Sequence, residues 1–270
     1  MLPYSYLGSC RYEHVFINAY PGRLHSIREI NYFLENLDNL KNYLNDYFFS
    51  NPVLKTFINL TYGNVFNDYL KDKTFLFPNQ LTNFLTSKFL FIEISSLKYA
   101  TTKCGVIANS SLLKTYDKEF ENDYCPTEIF NDNFFKFKKD DFNLVKKEVE
   151  KMLKILKLRT KVTKIFLIPH VNLLSKKTNG LIATRQEIDS LIDYLVSNFN
   201  IFEKVDIWGY GQIKNYFQED ILDSNYLNFN KIGNKLVYDY FANDFRKKEA
   251  NKNLINLQSN LSEKQQNLIS

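Results

Sequence analysis

Cysteine is scarce in this chain, and its spacing argues against two kinds of scaffold. The 270 residues include only three cysteines, Cys10, Cys104 and Cys125, an odd number without a CxxC pair. Neither a disulfide framework nor a structural zinc site has this pattern. We therefore expect no metal site and at least one free thiol.

Long apolar runs and dense basic blocks are also missing. No stretch reaches the roughly 18 apolar residues of a membrane-spanning helix, and the N-terminus lacks a basic segment followed by an apolar one. We therefore predict neither a membrane span nor a secretory signal, and we expect a cytoplasmic protein. The formal net charge is +5, but the lysines are spread along the chain. Nucleic acid is accordingly not an expected partner.

The residues that are present indicate a globular protein. Hydrophobic residues make up 44% of the sequence and aromatic residues 16%, which is too rich for a disordered chain. The length suits one main domain with a large buried core, which we assign to residues 1–245. Residues 246–270 are polar and contain no aromatic residue. They predict a C-terminal tail that is disordered or helical.

Four amphipathic helices are predicted from apolar residues that recur every three or four positions. Ser26 with Glu29, and Thr184 with Glu187, match the capping-box pattern that marks the start of a helix. The predicted spans are 26 to about 48, about 141–158, 184 to 199, and about 232–244, the last with Ile232 facing inward.

Four short apolar runs have the length and composition of strands. They are near-continuous, which is typical of strands buried on both faces, and they alternate with helices. This order predicts an α/β fold in which helices cover both sides of a mostly parallel sheet. The segments 50–85 and 116–138 show no clear period and are predicted as loops with short elements. The strand runs are YSYL at 4–7, KFLFIEI at 88–94, KIFLIP at 164–169 and KVDIW at 204–208.

Cys10 follows directly after the first predicted strand. The carboxyl edge of a parallel sheet is where such folds hold their working groups. Backbone N–H groups at a strand-to-helix turn, together with the neighbouring Arg11, would favour the thiolate and lower the pKa of the thiol. The alternative is that Cys10 is a small buried residue at a tight turn. The other segments predicted at this edge are 93–96, His170 and 209–211.

The chain has three histidines, and two of them are candidates for a general base. His25 lies in the loop PGRLH, which returns the chain from the Cys10 turn. His170 follows Pro169 at the end of a buried strand, where an imidazole could act as a base or bind an anion. Either histidine could instead be structural. His14 is the weakest candidate of the three.

Several short motifs resemble one known family. YLGSCR, GRLHSIREI, FIEISSLK, IPHV and TRQEID are similar to segments of the GSCFA and related SGNH-hydrolase-like proteins, including the WcbI-like proteins of capsule polysaccharide biosynthesis. The similarity spans about residues 4–241. It implies a flavodoxin-like three-layer α/β/α sandwich with the nucleophile just after the first strand.

The resemblance also implies roles for particular residues. Aligning Gly-Ser-Cys with the Gly-Asp-Ser of the GDSL motif puts Cys10 at the nucleophile position, with Ser9 beside it. At the family's C-terminal DxxH motif, Asp223 fits but Tyr226 stands in place of the histidine. A tyrosine with an unperturbed pKa of about 10 is a poor general base at neutral pH. The standard triad is therefore incomplete, and Gly63-Asn64 is only the nearest candidate for the oxyanion-hole block.

These observations lead to three hypotheses about function. In the first, the protein is a hydrolase or acyltransferase that acts on a glycan or a small acylated substrate, with a thiolate nucleophile and backbone N–H groups of residues 8–10 as oxyanion hole. It requires no cofactor, although an acyl-CoA donor is compatible. The alternatives are a catalytically inactive glycan- or ligand-binding module and a scaffold protein. The candidate residues are Cys10, His170, His25 and Asp223 for catalysis, with His170 or His25 as the base, and Ser9, Arg11, Arg23, Ser96 and Tyr226 for substrate binding, with Arg11 and Arg23 holding a carboxylate or phosphate.

Overall fold

A computed structural model describes residues 4–12, 15–16, 24–37, 79–102, 107–108, 135–211, 213–224 and 228–245. The elements in chain order are β1 (Tyr4–Leu7), a 3-10 turn (Cys10–Tyr12), α1 (Ile27–Glu35), α2 (Asn79–Thr86), β2 (Phe89–Glu93), β3 (Lys98–Thr102), β4 (Ile107–Ala108), β5 (Phe135–Lys139), α3 (Phe142–Arg159), β6 (Lys164–Ile168), α4 (Ala183–Asn198), β7 (Phe202–Lys204), a 3-10 turn (Ile213–Asn215), α5 (Gln218–Ile221), α6 (Lys231–Asp239) and a π-helical segment (Tyr240–Phe245). Predictions for the tail, 246–270, lie outside the described residues.

A four-stranded parallel sheet forms the centre of the fold, in the order β1-β2-β6-β7. Tyr4 pairs with Phe89, and Phe89 pairs with Lys164, so the carboxyl ends of the first three strands finish nearly level. The parallel sheet and the α/β class are therefore confirmed.

Both faces of this sheet are covered, which explains the near-continuous apolar runs. One core cluster contains Leu7, Leu90 and Ile165 with apolar residues of α1, α3 and α4. Tyr6 and Phe166 point to the opposite face, where they pack with residues of α6 and the π-helical segment. Because successive side chains of a strand alternate between faces, a strand with core on both sides has no solvent-facing position for polar residues.

The fourth strand differs from its predicted span. The run KVDIW predicts a strand at 204–208, whereas β7 is Phe202–Lys204. Beyond β7 one more bond joins the sheet, from Val205 N–H to the carbonyl of Leu167 (2.9 Å). Ile207 and Trp208 are buried in a loop, with the Trp208 indole donating to the carbonyl of Pro169 (3.1 Å). Their apolar character reflects burial without strand pairing.

The start of α1 is confirmed, and its predicted end is wrong. The Ser26 hydroxyl accepts from the N–H of Glu29 (3.3 Å), and the Glu29 carboxyl accepts from the N–H of His25 (2.7 Å). The helix ends at Glu35, not near residue 48, because Asn36 caps it with both its backbone N–H and its side-chain amide on the carbonyl of Tyr32. Residues 38–78 lie outside the described part of the chain.

The other predicted helices are present with local corrections. α3 matches its predicted span closely, and Asp141 caps it by accepting from the N–H of Leu144 (2.8 Å). α4 has Ile182 at its N-cap, so Thr184 lies inside the first turn and the predicted capping box is wrong.

Residues 232–244 are helical as predicted, in α6 followed by the π-helical segment, but Ile232 is 50% exposed. Its neighbour Gly233 faces inward instead. A Cβ on Gly233 would lie 2.2 Å from the carbonyl oxygen of Ile221, so only glycine allows this close approach of α6 to α5.

The structure also contains a second, antiparallel sheet, which the sequence patterns do not predict. Its order is β4-β3-β5, with Ala100 paired to Phe137. Part of it falls in the segment that was predicted as loop. β5 has the sequence FKFKK, in which apolar and basic residues alternate with the period of two that is typical of strands. Within the described residues, no helix is long and apolar enough to cross a membrane.

Candidate functional site

The turn after β1 depends on a glycine. A Cβ on Gly8 would lie 2.4 Å from the hydroxyl oxygen of Tyr6 and 2.9 Å from the Cβ of Glu93. The absence of a side chain therefore lets the chain pass directly over the end of β2. The 3-10 turn, Cys10–Tyr12, begins two residues later, so the thiol-bearing residue lies at the carboxyl edge of the sheet.

Glu93, the last residue of β2, organises this turn. Its side chain is fully buried. One carboxylate oxygen accepts from the Tyr6 hydroxyl (3.0 Å), the N–H of Ser9 (3.2 Å) and the hydroxyl of Ser9. The other oxygen accepts from Nη1 of Arg11 (2.6 Å). A buried carboxylate is tolerated because each oxygen is hydrogen-bonded and a guanidinium neutralises its charge.

Arg11 connects this turn to His170. Its Nη1 atom lies 3.3 Å from Nε2 of His170. Because a guanidinium only donates, Nε2 must accept, and the proton of the neutral ring is on Nδ1. Burial, followed by the positive charges of Arg11 and Arg185, lowers the pKa of His170 well below its usual 6.5. His170 is therefore neutral at neutral pH.

The second candidate base lies at the same edge. The N–H of Leu24 donates to the carbonyl of Gly8 (2.9 Å), and the carbonyl of His25 accepts from the N–H groups of Ser95 (3.0 Å) and Ser96 (2.9 Å). The loop that carries His25 is thus tied to the ends of both β1 and β2. The charge of His25 is the smallest of the contributions that lower the pKa of His170.

Three of the predicted site residues are engaged in local structure. Ser9 is 3% exposed, and its hydroxyl donates to Glu93 and accepts from the N–H of Arg11 (3.2 Å). Because the Ser9 N–H also binds Glu93, it is not available to the predicted oxyanion hole. The Ser96 hydroxyl bonds both backbone groups of Lys98. The Asp223 carboxylate accepts from the N–H of Asn228 (3.3 Å) in the loop between α5 and α6.

Beyond these local contacts, the structure brings some of the predicted residues together and leaves others undescribed. The structure brings Ser9, Arg11, His25 and His170 to one edge of the sheet, with the backbone of Cys10 among them. The Cys10 side chain, Arg23 and Tyr226 lie outside the described residues. In the part of the chain that is described, no cluster of three or more histidine, cysteine or acidic side chains could hold a metal ion.

No family model, curated protein or solved structure matches this chain.

Two important residues were given no role from the sequence, although Glu93 begins one of the segments predicted at this edge. Glu93 is the only charged residue in the run FLFIEI, and an acidic residue that ends a buried strand usually needs partners there. Arg185 lies in the first turn of α4 and is 8% exposed. Because the helix dipole disfavours a cation at that end, an arginine in the first turn was an available signal for a role outside the helix.

Proposed function

We propose that this protein is an acyltransferase or acyl-ester hydrolase that uses the Cys10 thiolate as its nucleophile, on a glycan or a small acylated substrate. One observation carries the proposal: the turn that bears Cys10 is held on buried Glu93, at the same sheet edge as His25 and His170. We extend the proposal to a flavodoxin-like, SGNH-type sandwich of the GSCFA kind. The parallel sheet with both faces covered supports that extension.

The proposed chemistry has two steps. The thiolate sulfur attacks the carbonyl carbon of the acyl group, the carbon–oxygen bond breaks, and the leaving alcohol takes a proton from an imidazolium. The hydroxyl of water or of an acceptor sugar then attacks the thioester. The base removes its proton, and the thiolate leaves. No cofactor takes part. Acyl-CoA is a compatible donor for the first step, in which case the carbon–sulfur bond of its thioester breaks and the thiol of CoA leaves with the proton of the imidazolium.

The contacts favour His25 over His170 as the base. His170 uses Nε2 to accept from Arg11, and its lowered pKa makes it a weak proton acceptor at neutral pH. We therefore assign His170 a positioning role, in which it holds Arg11. His25, on a loop bonded to Gly8, is left as the base that substitutes for the histidine absent at Tyr226.

The pH dependence of Cys10 alkylation tests this assignment. Iodoacetamide labelling is followed by mass spectrometry, so that Cys104 and Cys125 are counted separately. We expect the pKa of the Cys10 thiol to lie below about 8.5, the unperturbed value. His25→Ala should raise that pKa, whereas His170→Ala should change it less. Hydrolysis of an activated acetate ester should disappear in Cys10→Ser.

A second candidate function is an inactive binding module with the same fold. The neutral state of His170 and the buried hydroxyl of Ser9 favour it, because both groups are occupied in holding the turn. In that case Cys10 would be inert, or would titrate normally in wild type and in both histidine variants. Such a result would contradict the enzyme proposal.

A further inference from the structure

A second buried arginine lies close to the candidate site. Arg185 is 8% exposed, and its Nη1 atom donates to the side-chain oxygen of Gln218. Gln218 is 2% exposed and is fixed by its N–H bond to the carbonyl of Leu174 (3.0 Å). Gln218 is neutral, so this contact satisfies one donor and leaves the charge uncompensated. Among the residues described, no carboxylate forms a salt bridge with Arg185.

Charged groups near Arg185 do not form a direct ion pair with it in the described part of the chain. Burial and the nearby charge of Arg11 lower the pKa of Arg185 to about 10. Glu219 opposes that shift, but its carboxylate is bonded to the Ser175 hydroxyl (2.5 Å) and the N–H of Lys176 (3.0 Å). Glu93 neutralises Arg11. Within the described residues, the positive charge of Arg185 is therefore opposed only through space by Glu219 and forms no direct ion pair.

The first turn of α4 adds partial positive charge at the position of Arg185. This helix has 16 residues, and Ile182 at its N-cap has no polar side chain to cover the first N–H groups. The macrodipole amounts to roughly half a positive charge at a helix N-terminus. A guanidinium at the same end is unfavourable unless an anion is bound there. Together the two amount to about one and a half positive charges, which matches a phosphate monoester at neutral pH.

His170 supplies a donor that has no acceptor. Its Nδ1 atom is buried and has no hydrogen-bond partner in the described structure. The backbone of Val171 partly opposes the lowered pKa of His170, although no hydrogen bond to Nδ1 meets the usual distance and angle limits among the described residues. Because Nε2 accepts from Arg11, Nδ1 carries the proton. A buried N–H without an acceptor costs about 1–3 kcal/mol, which a bound oxyanion would offset.

We propose that Arg185, with the first turn of α4 and the neighbouring His170, binds a phosphate group. Identifying that phosphate as part of the acyl donor or acceptor rests on the proposed function, whereas the binding itself does not. The guanidinium offers its remaining N–H donors to two phosphate oxygens at once.

Titration calorimetry with inorganic phosphate tests the site in the full chain at constant ionic strength. Wild type should bind phosphate, and Arg185→Gln should weaken binding at least tenfold. Arg185→Lys should give an intermediate affinity, because it keeps the charge and loses the fork. The control is Arg159→Gln, which removes an exposed arginine at the end of α3 and should leave affinity unchanged.

A stability measurement separates loss of binding from loss of folding. Phosphate should raise the melting temperature of wild type and of Arg159→Gln, and should not raise that of Arg185→Gln. No binding to wild type, equal binding to Arg185→Gln, or equal affinity for acetate would overturn the proposal. Phosphate binding with an inert Cys10 would uphold this site while contradicting the acyl-transfer function, and a reactive Cys10 without phosphate binding would do the reverse.

Discussion

Glu93 is the residue on which the geometry of the turn after β1 depends. A buried carboxylate is costly by itself, but here four donors from Tyr6, Ser9 and Arg11 surround it. The same contacts neutralise Arg11 and hold its guanidinium against His170. One acidic side chain thus holds the turn, neutralises the charge of Arg11 and keeps the guanidinium where it donates to Nε2 of His170.

Glu93→Gln should destabilise the protein by about 3–5 kcal/mol, the usual cost of leaving one member of a buried ion pair alone. The NH2 group of the new glutamine would replace one carboxylate oxygen and would face groups that themselves donate hydrogen bonds. Urea unfolding measures the change. Glu187→Gln is the matched control, because Glu187 pairs with exposed Lys139 (2.8 Å) and such pairs contribute about 1 kcal/mol or less. Equal losses in the two variants would contradict the proposed role of Glu93.

A second buried carboxyl, Glu29, makes stability depend on pH. Burial raises its pKa to about 8, although the His25 N–H and the Ser26 hydroxyl oppose the shift. The folded protein therefore holds this proton more tightly than the unfolded chain, whose carboxyl has an ordinary value of 4.5. The contribution of Glu29 to stability is complete below about pH 4.5 and is lost as the pH rises through 8.

Glu29→Gln imitates the protonated acid and should remove this dependence. The free energy of unfolding of wild type relative to the variant should fall between pH 5 and pH 8, with a slope of at most about 1.4 kcal/mol per pH unit. Urea titrations at pH 5, 7 and 9 measure this difference in the free energy of unfolding. Other titrating groups, such as His170, contribute equally to wild type and variant, so their contributions cancel. A constant difference across this range would show that Glu29 is ionised in the folded protein.

At the scale of elements, contacts between α5 and α6 fix the rotation of α6, which helix propensity does not specify. The first turn of α6 packs on the last residue of α5, and Asn230 caps it by accepting from the N–H groups of Ile232 (2.9 Å) and Gly233 (3.0 Å). The N–H of Asn230 also donates to the carbonyl of Ile221 (2.9 Å). These bonds fix the rotation of α6, so that Gly233 faces inward and Ile232 faces solvent.

Gly233→Ala should therefore destabilise the protein despite the better helix propensity of alanine. The propensity gain is about 0.5–1 kcal/mol, whereas overpacking against a backbone carbonyl costs about 1–3 kcal/mol. Thermal unfolding measures the balance. Gly180→Ala is the control, because its Cβ would lie 3.8 Å from the nearest atom, the carbonyl oxygen of Thr178. A stabilised Gly233→Ala would mean that α6 is free to shift away from Ile221.

At the scale of the whole molecule, the last described segment completes one of the two cores. Tyr240 and Phe241 are buried, and the ring of Phe245 lies 5.3 Å from that of Phe91 and 5.1 Å from that of Phe166. These aromatic residues cover the face of the sheet opposite α1, α3 and α4. The domain boundary predicted from composition, at residue 245, falls directly after them.

Two truncations test this boundary. A chain that ends at Phe245 should retain the free energy of unfolding of the full chain within about 0.5 kcal/mol, the usual range for changes away from the core. A chain that ends at Asp239 loses three packed aromatic side chains, and the cost should exceed about 3 kcal/mol. Urea unfolding compares the two. A large loss from the shorter deletion would show that the polar segment belongs to the domain.

Local signals in the sequence determined much of the fold. The runs at β1, β2 and β6 predicted strands close to their observed bounds, and the periodic residues of α3 predicted its span, because both patterns are set by neighbours along the chain. Cys10, His25 and His170 were likewise candidates because each follows or precedes a recognisable element. Their arrival at one sheet edge follows from the parallel order of the strands.

Only the tertiary structure decided the contacts between distant residues. Glu93 is 82 positions from Arg11 in the sequence, and Arg185 is 33 positions from Gln218. The burial of Glu93 and Arg185, the ion pair between Glu93 and Arg11, and the neutral state of His170 all depend on the tertiary structure. The helix end at Asn36 and the inward face of α6 were also decided by packing and capping. A linear pattern records which residues prefer a strand or a helix, whereas the pKa of a side chain depends on the charges and the solvent that the fold brings to it.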